Sequence, residues 1–94
     1  MEVSKLKTVW EAMSDITRRK ILTLLRSENL TAGEISSYFD SRPATISHHL
    51  SILKDSGLVK AERNATVITY SLDVDTFKSM IEKLESFLVN VKRK

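Results

Sequence analysis

The chain has 94 residues, a formal net charge of +3 and no cysteine. That length suits one domain with a modest core, burying only about 60–65% of its unfolded surface and gaining from a partner subunit. The missing thiols exclude disulfides, thiolate metal sites and thiol redox chemistry; no apolar run approaches a membrane span and no leader pattern is seen, so no membrane insertion and a cytoplasmic location are expected.

Val3, Leu6, Trp10 and Met13 recur at steps of three and four, which predicts a first helix over 1–13 with one apolar stripe. Asp15 is placed to cap a second helix whose core face is Ile21, Leu22, Leu24 and Leu25. Arg18, Arg19 and Lys20 fall in its first turns, where cations oppose the macrodipole, so an anionic neighbour is expected there. Thr31-Ala32-Gly33-Glu34 has the hydroxyl and carboxylate of a capping box and opens a short third helix carrying Ile35, Tyr38 and Phe39. Asp40-Ser41 makes a turn, with Ser41 as the candidate cap of a fourth helix. Pro43 suits that helix's first turn, and Gly57 supplies a left-handed stop.

From Leu58 to Leu72 the apolar period changes to two. Val59 and Ala61 alternate with Lys60 and Glu62, and Ile68, Tyr70 and Leu72 with Val67, Thr69 and Ser71. This predicts two half-buried strands joined near Arg63-Asn64-Ala65-Thr66, with Asn64 the residue suited to a positive φ. Helical period returns over 73–92, where Phe77, Ile81, Leu84, Leu88 and Val91 form a seam widened by Met80 and Phe87. The Lys92-Arg93-Lys94 tail is expected to fray.

The fourth helix carries the functional signal. On a helical wheel Ile46, Leu50 and Leu53 cluster within about 60°, while Ala44, His48, Ser51 and Asp55 lie opposite, flanked by Thr45 and Ser47. One side can lock into a core and the other can enter a DNA major groove, since short donors and acceptors allow close backbone approach. Preceded by a short helix and turn, it makes a helix-turn-helix over 31–57. Arg42, Thr45, Ser47 and His48 are the candidate base contacts. Arg18, Arg19, Lys54, Lys60, Arg63 and Thr66 are the candidates for phosphates, the last three on a wing over 58–72.

Ser14-Asp15-Ile16-Thr17-Arg18-Arg19-Lys20-Ile21-Leu22, Leu30-Thr31-Ala32-Gly33-Glu34-Ile35, Pro43-Ala44-Thr45-Ile46-Ser47-His48-His49-Leu50-Ser51-Ile52-Leu53 and Gly57-Leu58-Val59 together resemble the ArsR-type winged-helix transcriptional repressors. Within that family the chain is most similar to the small members without metal ligands, of the sporulation-delaying-protein-repressor branch. The resemblance implies a mainly α fold with a small β-hairpin, ordered α-α-α-α-β-β-α, and a single winged helix-turn-helix over 1–94. It also implies a homodimer through the first and last helices, operator binding near the chain's own promoter and release by an effector. Leu6, Trp10, Phe77, Ile81, Leu84, Leu88 and Val91 are the expected dimer contacts. Two departures stand out: the family often has proline where Ile16 stands, and its wing is often glycine-bearing and more basic than Asn64-Ala65-Thr66.

Other chemistries fit less well. Adjacent His48 and His49 point about 100° apart on a helix and cannot grip one ion; His49, nearer the apolar stripe, reads as a packing residue. Asp73, Asp75, Glu82 and Glu85 are carboxylates alone, which suit hard cations weakly, so no metal site and no cofactor are expected. Ser47 and His48 diverge and lack an orienting third group, which argues against an enzyme. The expected function is a dimeric repressor, possibly of its own promoter, on a palindromic operator in double-stranded DNA. The alternatives are a protein-interaction module built on a winged-helix surface and a metal-responsive sensor. The inducing signal, whether a small-molecule effector or a sequestering protein, is not encoded in any recognisable motif.

Overall fold

Hydrogen-bonding side chains set where most of the helices begin. A computed structural model of the chain describes the backbone of residues 3–89 and 91, and the side chains of residues 8–89 and 91. The elements run α1 (Val3–Met13), α2 (Ile16–Ser27), β1 (Leu30–Thr31), α3 (Ala32–Ser36), α4 (Pro43–Ser56), β2 (Val59–Asn64), β3 (Val67–Leu72) and α5 (Val74–Ser86). Asp15 caps α2 by accepting from the Arg18 amide at 3.0 Å. Thr31 and Glu34 close the expected capping box, with the Glu34 amide donating to the Thr31 hydroxyl and the Thr31 amide to the Glu34 carboxylate. Asp73 caps α5 in the same way, accepting from the Thr76 amide.

The core is one apolar cluster. Val9 and Ala12 of α1 meet Ile21, Leu22 and Leu25 of α2, and Ile35 of α3 joins Ile46, Leu50 and Leu53 of α4. Leu30, Leu58 and Val59 close it from the sheet side. Leu24, expected in the core face of α2, is only half-buried at its edge. The sheet is antiparallel in the order β1-β3-β2, with Val59 opposite Leu72 and Asn64 opposite Val67. Burial of the side chains facing the helices stabilises the arrangement by about 25 cal/mol per Å² of apolar surface removed from water.

The structure corrects five details. A third strand exists: Leu30 pairs with Tyr70 and Thr31 with Thr69, and two residues are too few to show a period. α3 stops at Ser36, because Tyr38 and Phe39 donate to carbonyls three residues back and tighten the chain out of the α-helix. Phe39 then packs on the core, whereas Tyr38 is exposed. Ser41 does not cap α4; Arg42 holds the cap position with no side-chain hydrogen bond. At the hairpin tip the positive φ belongs to Ala65, at 59°, and not to Asn64, which remains paired as the last residue of β2. A two-residue connection places the turn at Ala65-Thr66, and a non-glycine residue there carries some strain.

The fifth correction concerns the last helix. α5 ends at Ser86, short of the expected span to 92. The Ser86 hydroxyl bonds back to the Lys83 carbonyl, and the amides of Phe87, Leu88, Val89 and Val91 each donate to a carbonyl three residues earlier. Leu88 and Val91 therefore leave the heptad register. The Leu6 side chain and the Lys92-Arg93-Lys94 tail lie outside the described residues.

Candidate nucleic-acid interface

α4 is anchored along one side and left open along the other. Ile46, Leu50, Leu53 and Ser56 are buried. The buried Ser56 hydroxyl donates to the Leu53 carbonyl at 2.7 Å and accepts from the Leu58 amide at 3.3 Å, which satisfies it without water. Gly57 ends the helix at φ 88°. Opposite that anchor Arg42, Ala44, Thr45, Ser47, His48, Ser51, Lys54 and Asp55 are exposed. Among the described residues no side-chain hydrogen bond or ion pair holds Arg42, Thr45, Ser47 or His48. The face thus offers hydroxyls, an imidazole and a guanidinium free to bond elsewhere. The His48 ring stands 6.2 Å from that of His49 at an angle of 49°.

His49 points inward, half-buried, and joins a small polar network with α1 and α2. Arg18 Nη1 donates to His49 Nδ1 at 3.2 Å, Nε to the Ala12 carbonyl at 2.8 Å and Nη2 to the Glu11 carbonyl at 3.1 Å. The Asp15 carboxylate lies 3.9 Å from His49 Nδ1. The Arg18 amide hydrogen bond, with the Arg18 charge adding to it, holds the Asp15 carboxyl below its ordinary value despite some desolvation. Arg19 Nη1 donates to the Met13 carbonyl at 2.7 Å. The anion expected beside these cations is therefore the carbonyl end of α1, the negative end of its macrodipole. Arg18 thus spends three of its donors on this strap, which leaves it fewer for a phosphate than the sequence expectation assumed. Arg19 remains exposed with donors to spare.

The wing candidates do not converge. Lys60 and Arg63 stand an odd number of residues apart on β2 and so project to opposite faces of the sheet. Lys60 shares its face with Glu62, which faces Thr69, while Arg63 pairs with Ile68 on the face that carries Val59 and Tyr70 toward the core. Lys60, Arg63 and Thr66 are all exposed. Sequence reasoning missed Tyr38, an exposed phenol in the turn between α3 and α4. Its spacing from Ile35 imitates a core position, and no local signal separates the two cases.

α5 buries none of its residues. Phe77 and Met80 pack against the edge of the core, so Phe77 is in part an internal contact. Ile81 is 51% exposed, Leu84 45% and Leu88 71%, and Val91 is exposed beyond them. Trp10, on α1, is also exposed on one side. Among the described residues no group of three or more His, Cys, Asp or Glu side chains is arranged to hold a metal ion, and no helix is long and apolar enough to cross a membrane.

With this geometry in place, comparison with known proteins gives a consistent result. The model of the family described as bacterial regulatory protein, arsR family, matches residues 15–61. The transcriptional repressor SdpR of Bacillus subtilis is 39% identical over 88% of this chain and 92% of its own length. The transcriptional activator HlyU of Vibrio cholerae is 35% identical over 89% of this chain and 80% of its own. A solved structure of HlyU from Vibrio cholerae superposes with a TM-score of 0.73 at 32% identity, covering 93% of this chain and 97% of that one. These matches span α2 to the wing, the part that presents α4, and extend over most of the remainder.

Proposed function

This chain belongs to the arsR family of bacterial regulatory proteins and is a DNA-binding transcription regulator, and from that premise we propose that it works as a homodimeric repressor of an operator with two-fold symmetry. The observation that carries the reading is the open face of α4, where Arg42, Thr45, Ser47 and His48 are exposed and unbonded beside a buried anchor. Thr45, Ser47 and His48 read base edges, and Arg42 reaches a guanine or a phosphate at the helix start. The uncapped first turn of α4 favours a phosphate there as well. Arg19, Lys54, Lys60, Arg63 and Thr66, joined by the Tyr38 hydroxyl, supply backbone contacts. Because Lys60 and Arg63 face apart, the wing adds less than a basic hairpin would.

Pairing follows from α5. Ile81 and Leu84 exposed on α5, with Phe87 and Leu88 exposed just beyond its end and Trp10 exposed on α1, are more apolar surface than a small chain keeps open to water. A two-fold axis along it places two copies of α4 in successive major grooves about 34–36 Å apart. The resemblance to SdpR favours repression, and the operator of the chain's own promoter is the first candidate target. Relief comes from an effector or a sequestering protein.

The test is a salt titration against short duplexes carrying an inverted repeat taken from upstream of the gene. A steep fall of log affinity with log salt, together with retained preference over scrambled duplex, supports the reading. A protein that binds neither duplex in dilute buffer defeats it.

A further inference from the structure

We propose that a cavity of about 320 Å³ beside α2, lined by Met13, Leu22, Leu72 and Phe77 and edged by Arg19, Thr23 and Arg26, is a binding site for a small monoanion with an apolar body, of the alkyl or aryl carboxylate class. The volume lies within the range of small-molecule sites. Its walls come from four elements, so α1, α2, β3 and α5 each contribute a side chain. Residues 19, 22, 23 and 26 fall on one face of α2, which puts both arginines on the same side of the opening.

The charge pattern selects the ligand. No acidic side chain lines the cavity. The Thr23 hydroxyl is already donated to the Arg19 carbonyl at 3.0 Å. Arg26 has no hydrogen bond or ion pair among the described residues, and Arg19 spends one nitrogen on Met13 and keeps the rest. An apolar recess edged by two arginines, of which Arg26 has no hydrogen bond or ion pair among the described residues, favours an apolar tail and one planar anionic head, which a guanidinium fork binds through two parallel hydrogen bonds. Neutral and cationic molecules of the same shape gain only the tail.

Calorimetric titration of the full chain without DNA decides the matter, and its outcome is independent of the role of α4. The probes are octanoate, octanol and octylammonium, which share one tail. Octanoate is expected to saturate a single site per chain, with octanol about tenfold weaker and octylammonium weaker still. Arg26→Gln, on an exposed lip, should bring octanoate to the level of octanol, and Thr23→Trp should block the chamber, each with an unchanged circular dichroism spectrum. Equal binding of the three probes, or octanoate binding indifferent to both substitutions, overturns the proposal. So does an absence of saturable binding in a sample that sediments as a dimer, which would mean that the second copy closes the cavity.

Discussion

α4 and α5 are amphipathic helices of nearly equal length, 14 and 13 residues, with opposite fates. α4 gives its apolar stripe to the core and keeps its polar stripe open. α5 touches the core only at its edge and keeps much of its apolar stripe open. A polar stripe without partners is stable in water and waits for a polar ligand, whereas an apolar stripe without partners is costly and calls for a second body. The proposed DNA-contact face and the proposed pairing surface are thus distinguished by what each helix leaves uncovered.

The sharpest way to break this comparison is to put a charge on the α5 stripe. Leu84→Glu should convert a dimer into a monomer in analytical ultracentrifugation, and operator affinity should fall by about a hundredfold or more because the two half-sites lose their linkage. An intact dimer at micromolar concentration would move the pairing surface elsewhere. The matching change on α4 is His48→Ala, which should leave the dimer and its thermal unfolding unaltered while reducing preference for operator over random duplex by about tenfold or more. Unchanged discrimination in competition binding would remove His48 from the reading face.

Arg18 of α2 ties the end of α1 to His49 of α4. Arg18→Met should cost about 2 kcal/mol in chemical unfolding, as charge-assisted bonds to two carbonyls are lost. The slope of log affinity against log salt should remain that of the parent; a slope shallower by about one unit would return Arg18 to the phosphates. The smallest effect concerns Asp15, whose carboxyl is held below its ordinary value when folded. A depressed folded value means that its contribution is present above the unfolded value, about 3.9, and is lost as pH falls through the folded one. Asp15→Asn keeps a capping oxygen, so it should be less stable than the parent by roughly a few tenths of a kcal/mol at neutral pH. That gap should close on acidification; a gap that stays constant down the acid limb would show that the charge contributes nothing.

Much of the architecture was legible along the chain, wherever the signal was short in range. The capping box at Thr31 and Glu34, the Asp15 cap, the Gly57 stop and the stripe of Ile46, Leu50 and Leu53 each depend on residues within about two turns of one another, and each occurs as read. The exposed face of α4 followed from the same periodicity. Misreadings arose where two different environments share one pattern. Tyr38 keeps a helical spacing in a segment that has already tightened, and Phe77 belongs to the α5 seam while resting on the core. The two-residue strand β1 had no period to detect and exists because Tyr70 and Thr69 lie opposite it.

Local chemistry along the chain determined where the helices lie, most of their caps and the polar composition of the open face of α4, because backbone hydrogen bonding and side-chain period act over a few residues. Only the tertiary structure decided that Arg18 bonds to the end of α1, that Lys60 and Arg63 stand on opposite sides of the wing, and that two arginines border an apolar recess. Those outcomes depend on where segments distant in sequence come to rest. A charged or apolar side chain takes its role from whichever neighbour the packing brings within hydrogen-bonding or van der Waals reach.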